Sequence, residues 1–194
     1  MNKSFLKVLA LTATLSLFST TSHAADQYQI DTKGMHASIQ FKIKHLGYSW
    51  LKGRFEKFSG DFSYDATQIS NSQVSVNIDT ASVNSNHAER DKHLRSDDFL
   101  DVKKYPTATF KSSSITEQAD GSLKIKGQLT LHGVTKAIEI QASKVGEGKD
   151  PWGGYRAGFS GSTRLKLADY GITYNLGPAS THVDLSLEIE GVRQ

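Results

Sequence analysis

Apolar and polar residues alternate one by one along most of this chain. A period of two leaves few folds open, because each such run reads as a strand with one face buried. Ile39, Phe41 and Ile43 alternate with Gln40, Lys42 and Lys44, and Val74, Val76 and Ile78 with Ser75 and Asn77. Leu123, Ile125, Gly127, Leu129 and Leu131 alternate with Lys124, Lys126, Gln128 and Thr130. Val134, Ile138 and Ile140 continue the pattern, with Lys136 interrupting their face. Ala157, Phe159, Gly161, Thr163, Leu165 and Leu167 form another row, and Val183, Leu185, Leu187 and Ile189 the last. Phe58, Gly60, Phe62 and Tyr64 share one parity and Phe55 the other, which calls for a bulge near Glu56 and Lys57. Turn signals at Asp120-Gly121, His132-Gly133 and 146–154 separate the runs. With Tyr28 to Asp31 and Thr107 to Ser112 added, the count reaches about eight strands. So many short strands in hairpin order suggest an all-β sandwich or barrel.

The N-terminus follows other rules. Two lysines precede an apolar run from Val8 to Phe18, and Ser22 and Ala24 supply small residues before a cut after Ala24. That is the layout of a secretory signal. The run is far short of the roughly 20 apolar residues that span a bilayer. Residues 1–24 are therefore read as a cleaved export signal and 25–194 as one domain. Removing the signal takes two of the 23 basic side chains and none of the 20 acidic ones, so the formal charge falls from +3 to +1. A nearly neutral chain gives no electrostatic case for nucleic acid. The chain has no cysteine, so neither a lipid-modified cysteine nor a disulfide is available, and the fold must rest on its own core.

One segment breaks the β pattern. Asn86 followed by Glu89 matches a helix-capping pair, and residues 87–95 read as a short charged helix. Ser96 to Leu100 reads as a further helical turn, closed before Pro106. This segment is expected to lie across one end of the barrel.

Chemistry-bearing motifs are missing. Gly47-Tyr-Ser-Trp-Leu51 and Gly158-Phe-Ser-Gly-Ser162 both lack the second glycine of a nucleophile elbow, and no phosphate loop or dinucleotide fingerprint occurs. On the helix, His87 pairs with Asp91 and Glu89 with His93 at a spacing of four, but the pairs face different ways. A solvated helix with local ion pairs explains them, and no metal is assigned. The inward rows mix large residues (Phe41, Phe62, Phe110, Phe159) with small ones (Ala108, Gly127, Ala157, Gly161). Small residues facing in either seat a tightly curved sheet or leave a tunnel.

Six motifs, in order, resemble the bacterial YceI family over the whole of residues 25–194. They are His45-Leu-Gly-Tyr-Ser-Trp50, Asn86-His-Ala-Glu-Arg-Asp-Lys-His-Leu-Arg95 with Phe99-Leu100, and Lys104-Tyr-Pro-Thr-Ala-Thr-Phe110. Leu129-Thr-Leu-His-Gly-Val-Thr-Lys136, Asp150-Pro-Trp-Gly-Gly154 with Arg156-Ala-Gly-Phe159, and Leu176-Gly-Pro-Ala-Ser180 complete the set. The resemblance implies an eight-stranded antiparallel, lipocalin-like barrel with the short charged helix near one end. It also implies a periplasmic, non-enzymatic carrier or store for a polyisoprenoid or isoprenoid quinone, with no other cofactor.

On that reading the inward rows line a lipid tunnel. Phe41, Ile43, Phe62, Val76, Ala108 and Phe110 come from the first half of the chain. Ile125, Leu129, Ile138, Ala157, Phe159, Leu185 and Leu187 come from the second. Tyr48, Trp50, Arg90, Arg95, Trp152 and Arg156 lie in segments expected to close the ends. They are candidates for the head-group end, with the two tryptophans equally read as packed loop anchors. Transient membrane contact and a homodimer are compatible with such a carrier. Two rivals share the pattern: a membrane-embedded barrel, which also alternates, and an enzyme acting on a lipid in the tunnel, which would need an inward acid or base.

Overall fold

The computed structural model describes residues 24–194. The export signal expected over residues 1–24 therefore lies, apart from Ala24, outside the described residues. Eleven strand segments join into one antiparallel sheet that closes on itself. They are β1 (Asp26–Ile30), β2 (Ser38–His45), β3 (Ser49–Phe55), β4 (Phe58–Tyr64), β5 (Gln73–Asp79) and β6 (Val83–Asn84). After α1 (Ala88–Leu94) come β7 (Thr107–Glu117), β8 (Leu123–Leu131), β9 (Val134–Lys149), β10 (Tyr155–Lys166) and β11 (His182–Arg193).

The eleven segments fill eight positions. Both β1 and β2 pair with β11, β1 at its end and β2 along its start, so they are two lengths of one broken strand. In the same way β4 pairs with β1 while β3 pairs with β2, and β5 pairs with β4 while β6 pairs with β3. The expected irregularity at Glu56 and Lys57 is the gap between β3 and β4. There Glu56 N donates to Ser82 O at 3.1 Å and Lys57 N to Ser82 Oγ at 3.0 Å. The skipped register lets Phe55 and Phe58 pack on the same core.

Turn chemistry sets the hairpins. His132 and Gly133, both at positive φ, form the two-residue link from Leu131 to Val134. The expected loop at 146–154 is shorter than its composition suggests, since β9 runs on to Lys149 and leaves only 150–154 as the tip. Outward side chains such as Lys42, Lys44, Lys126, Arg164, Lys166 and Glu188 are polar and exposed. Such a face does not suit a barrel whose outer band meets lipid tails.

The helix starts one residue later than the capping pattern suggests. Asn86 sits at φ 63°, and His87 is the cap, its Nδ1 accepting from Arg90 N at 3.3 Å. Asp91 is buried and accepts from Ser85 N at 2.7 Å, which ties α1 to the strand it follows. Ser96 to Leu100 forms hydrogen-bonded turns rather than a second helix. What plugs this end of the interior is Tyr170, from the 3-10 turn Leu167–Tyr170 that follows β10, buried against Phe110, Leu129, Ile140 and Leu165.

Candidate functional site

The interior is unevenly filled. At the end where β1 meets β11, Tyr28 stacks on Phe62 at 4.8 Å between ring centres, and Phe159 meets Phe62 and Tyr64 edge-on at 5.6 and 5.2 Å. Ala157 is 1% exposed in this cluster. Gly191 lies under the Phe62 ring so closely that a Cβ there would collide with it. Gly127 is pressed in the same way against Phe110. Small inward residues at these places seat rings; they do not open space.

Farther along the axis the walls draw apart. Val74, Ile78, Ile125, Ile138, Leu185, Leu187 and Ile189 point inward yet are only half-buried, because a cavity runs between them. It holds about 1030 Å³ of space not filled by atoms, part of it open to solvent. The space is narrow, and little of it is wide enough to admit a water molecule. Among the described residues that form its wall there is no Asp, Glu, Lys, Arg or His. The polar members are Ser63, Ser72, Gln73, Ser160 and Thr163, with Tyr64, and several of these are already occupied. Ser63 Oγ accepts from Gln73 N at 3.1 Å, Ser72 Oγ from Asp65 N at 3.0 Å, and Thr163 Oγ1 donates to Glu139 O at 2.8 Å.

The loop between β4 and β5, which brings Ile69 and Ser72 to the wall, hangs on one carboxylate. Asp65 accepts from Thr67 Oγ1 at 2.7 Å, from Thr67 N and Gln68 N at 2.9 Å, and from Asn71 Nδ2 at 3.1 Å. The Thr67 hydroxyl, then Gln68 N and Asn71, lower its pKa to about 2.

Nine of the thirteen expected lining residues form the wall: Phe62, Val76, Phe110, Ile125, Leu129, Ile138, Phe159, Leu185 and Leu187. Four do not. Ala108 and Ala157 are packed solid. Ile43, paired with Leu51 and Val183, lies beyond the cavity. Phe41 faces Gly53 and borders an outer, solvent-open groove with about 1740 Å³ of space not filled by atoms. That groove follows a lateral split: β9 and β10 stop pairing at Gln141 and Ser162, although β10 stays paired to β11 as far as Lys166. Ile138, Thr163 and Leu185 border groove and cavity alike. Several wall residues went unassigned in the sequence, among them Val74, Ile78, Gly161, Thr163 and Ile189. Each shares the parity of an assigned neighbour. Ile69, in a loop, gave no signal.

The six expected head-group residues do not converge on one site, although the Arg156 guanidinium lies 5.7 Å from the centre of the Trp152 ring, and none is in the cavity wall. Tyr48 and Trp50 are at the β2–β3 tip, 88% and 48% exposed. Arg90 is spent on Ser85, through Oγ and the carbonyl, and Arg95 on the carbonyls of Ala81 and Val83. Trp152 is at the β9–β10 tip, at the opposite end of β11 from Tyr48. Arg156 is a clamp: Nε donates to Asp150 at 2.9 Å, and Nη1 to Asp31 at 2.7 Å and to Glu190 at 2.6 Å. Its guanidinium is the main reason that the Asp31 and Asp150 carboxyls lie below the usual range. Asp31, His36 and Glu190 could geometrically hold a metal ion, but Arg156 already supplies the positive charge there. The helix donors considered in the sequence do not converge, since Asp91 serves Ser85 and His93 faces Asp98 at 2.8 Å.

The class this fold defines is the small, closed, lipocalin-like β-barrel with an apolar interior. A profile of the YceI-like domain matches residues 28–191, and the chain belongs to that family. A UPF0312 protein of Shewanella denitrificans is 58% identical over 178 residues, covering 92% of this chain and 93% of the relative. The crystal structure of a Campylobacter jejuni YCEI protein superposes with a TM-score of 0.70 at 34% identity, over 79% of this chain and 91% of that one. A polyisoprenoid binding domain from Saccharophagus degradans shares the fold, with a TM-score of 0.63 at 18% identity, over 86% of this chain and 98% of that one.

Proposed function

We propose that this protein binds one long isoprenoid-type lipid, a polyisoprenoid or isoprenoid quinone, inside the barrel, and carries or stores it in the periplasm after loss of residues 1–24. The observation that carries this reading is the slender cavity, whose inward aliphatic side chains are half-buried although they face the barrel axis. An isoprenoid tail has no polar atom to satisfy, and each buried methylene-sized unit adds about 0.8 kcal/mol. A narrow apolar bore therefore suffices for tight binding. Among the described residues the wall offers no acid or base to drive a reaction, which supports binding over catalysis. A polyisoprenoid binding domain is among the proteins that share this fold. In this reading Ser63, Ser72 and Gln73, at the edge of the cavity, stand nearest to a polar head.

Native mass spectrometry of the purified protein, with organic extraction of whatever it releases, tests the reading. The expected result is a chain beginning at Ala25 with a bound isoprenoid-type lipid. A protein that is empty and takes up neither quinone nor polyprenyl lipid on titration would refute binding. A chain retaining residues 1–24 would refute the export step.

A further inference from the structure

We infer that the β2–β3 tip is a docking element for an anionic bilayer surface, whatever fills the cavity. The turn holds Leu46 at φ 51° and Gly47 at φ 87°, closed by Tyr48 N donating to His45 O at 3.0 Å. This geometry lifts three large apolar side chains off the barrel: Leu46 is 51% exposed, Tyr48 88% and Trp50 48%. Lys42, Lys44 and Lys52 flank them on the two strands, and no acidic residue occurs from residue 42 to 54. Lys42 and Lys44 hold their ammonium groups 4.9 and 5.7 Å from the centre of the Trp50 ring. An indole and a phenol flanked by long-stemmed cations suit the boundary between acyl chains and phosphates, where the rings sit among the headgroups and the lysines reach anionic lipid.

The other end of the barrel carries exposed apolar residues too, Met35 at 68%, Val145 at 72% and Trp152 at 78%. There, however, Asp31, Glu147, Asp150 and Glu190 pair with Arg156 and Lys144. Apolar exposure is common to both ends. A local excess of positive charge, with no acid from residue 42 to 54, belongs to one of them, and it selects an anionic surface over a second neutral protein face. Lys42, Lys52 and Phe41 also border the outer groove at the lateral split, so docking through this tip brings the groove close to the bilayer.

The chain has two tryptophans, one at each end, and this makes the test direct. Trp152→Phe leaves Trp50 as the sole emitter, and Trp50→Phe leaves Trp152. Both proteins, with the same N-terminus, are mixed with vesicles of phosphatidylcholine alone and of phosphatidylcholine with phosphatidylglycerol, free of isoprenoids. The expected result is that Trp50 emission moves to shorter wavelength on the anionic vesicles only and returns on adding salt, while Trp152 emission stays put. Tyr48→Ser, at a side chain too exposed to matter for folding, should weaken vesicle partition about tenfold, equivalent to about 1.4 kcal/mol. Trp50 emission unmoved by anionic vesicles would overturn the inference, as would equal shifts of both tryptophans. So would a shift that follows protein concentration without vesicles, which would assign the tip to a second copy of the chain. Because the vesicles hold no isoprenoid, none of these outcomes bears on the cavity ligand.

Discussion

Ala157 and Gly161 stand four residues apart on the same face of β10, and their surroundings differ sharply. Ala157 is sealed among Tyr28, Phe62 and their neighbours, whereas Gly161 borders open space with the nearest side-chain atom, on Ile140, 3.3 Å from where its Cβ would be. Flat rings stack across the barrel and fill one end. Branched aliphatic side chains, shorter than the bore, leave the middle hollow. Pointing inward is therefore common to both regions, and the size and shape of the partner across the axis decide which one is filled.

The sharpest break of this comparison is Ala157→Phe. In the lipid-free protein it should cost about 1–3 kcal/mol by overpacking, measured by denaturant unfolding, with lipid uptake per folded molecule unchanged. A stable variant would mean that the sealed end has room. Delipidated protein is needed, since a bound ligand stabilises the native state by mass action.

Val74→Phe is the counterpart in the hollow region, because Val74 borders all three buried clusters. Its ring should enter the cavity, lowering isoprenoid uptake about tenfold, or about 1.4 kcal/mol, while lipid-free stability changes little. Normal uptake would show that the tail runs elsewhere.

Tyr170→Phe probes the plug where the hollow region ends. The Tyr170 hydroxyl is buried without a hydrogen-bond partner, and burial, aided by Asp169, raises its pKa. Removing an unsatisfied buried hydroxyl should raise lipid-free stability by about 1 kcal/mol. A loss of stability would reveal a partner for that oxygen.

The smallest effect concerns Asp65, which orders the loop at the cavity edge. Its pKa is lowered to about 2 in the fold, against about 3.9 unfolded. Its contribution is complete above pH about 4 and is lost as the pH falls through about 2. Asp65→Asn should flatten the stability profile in that window alone, and stability measured against pH for both proteins checks it. An unchanged acid limb would mean that the loop bonds do not depend on the charge.

Strand parity is legible in the sequence because burial of one face imposes it on every residue of a run, and this is why the inward orientation of Ile125, Ile138 and Leu187 can be read from it. Depth along the barrel axis was not legible. Nothing local distinguishes Ala157 from Gly161, since the difference lies with Tyr28 and Phe62, far away in sequence. The breaks between β1 and β2 and between β5 and β6 were equally hidden, although Phe55 betrayed the one between β3 and β4. Arg156 resembled a ligand-binding residue because an arginine beside a tip could serve either purpose. Only the fold brings Asp31 and Glu190 to it.

The closing seam of the barrel has a consequence for how the chain comes to be folded. Most strands have a neighbour in the next hairpin, but β1 and β2 complete the ring against β11, the last of these strands to be synthesised. Pairings between distant segments form slowly, because the intervening chain must first be gathered at an entropic cost. Until β11 arrives, both edges of the sheet stay unpaired and the stack of Tyr28 on Phe62 has no Gly191 beneath it. Closure of the ring thus waits for β11, and until that strand is made the rest of the sheet stays pliable.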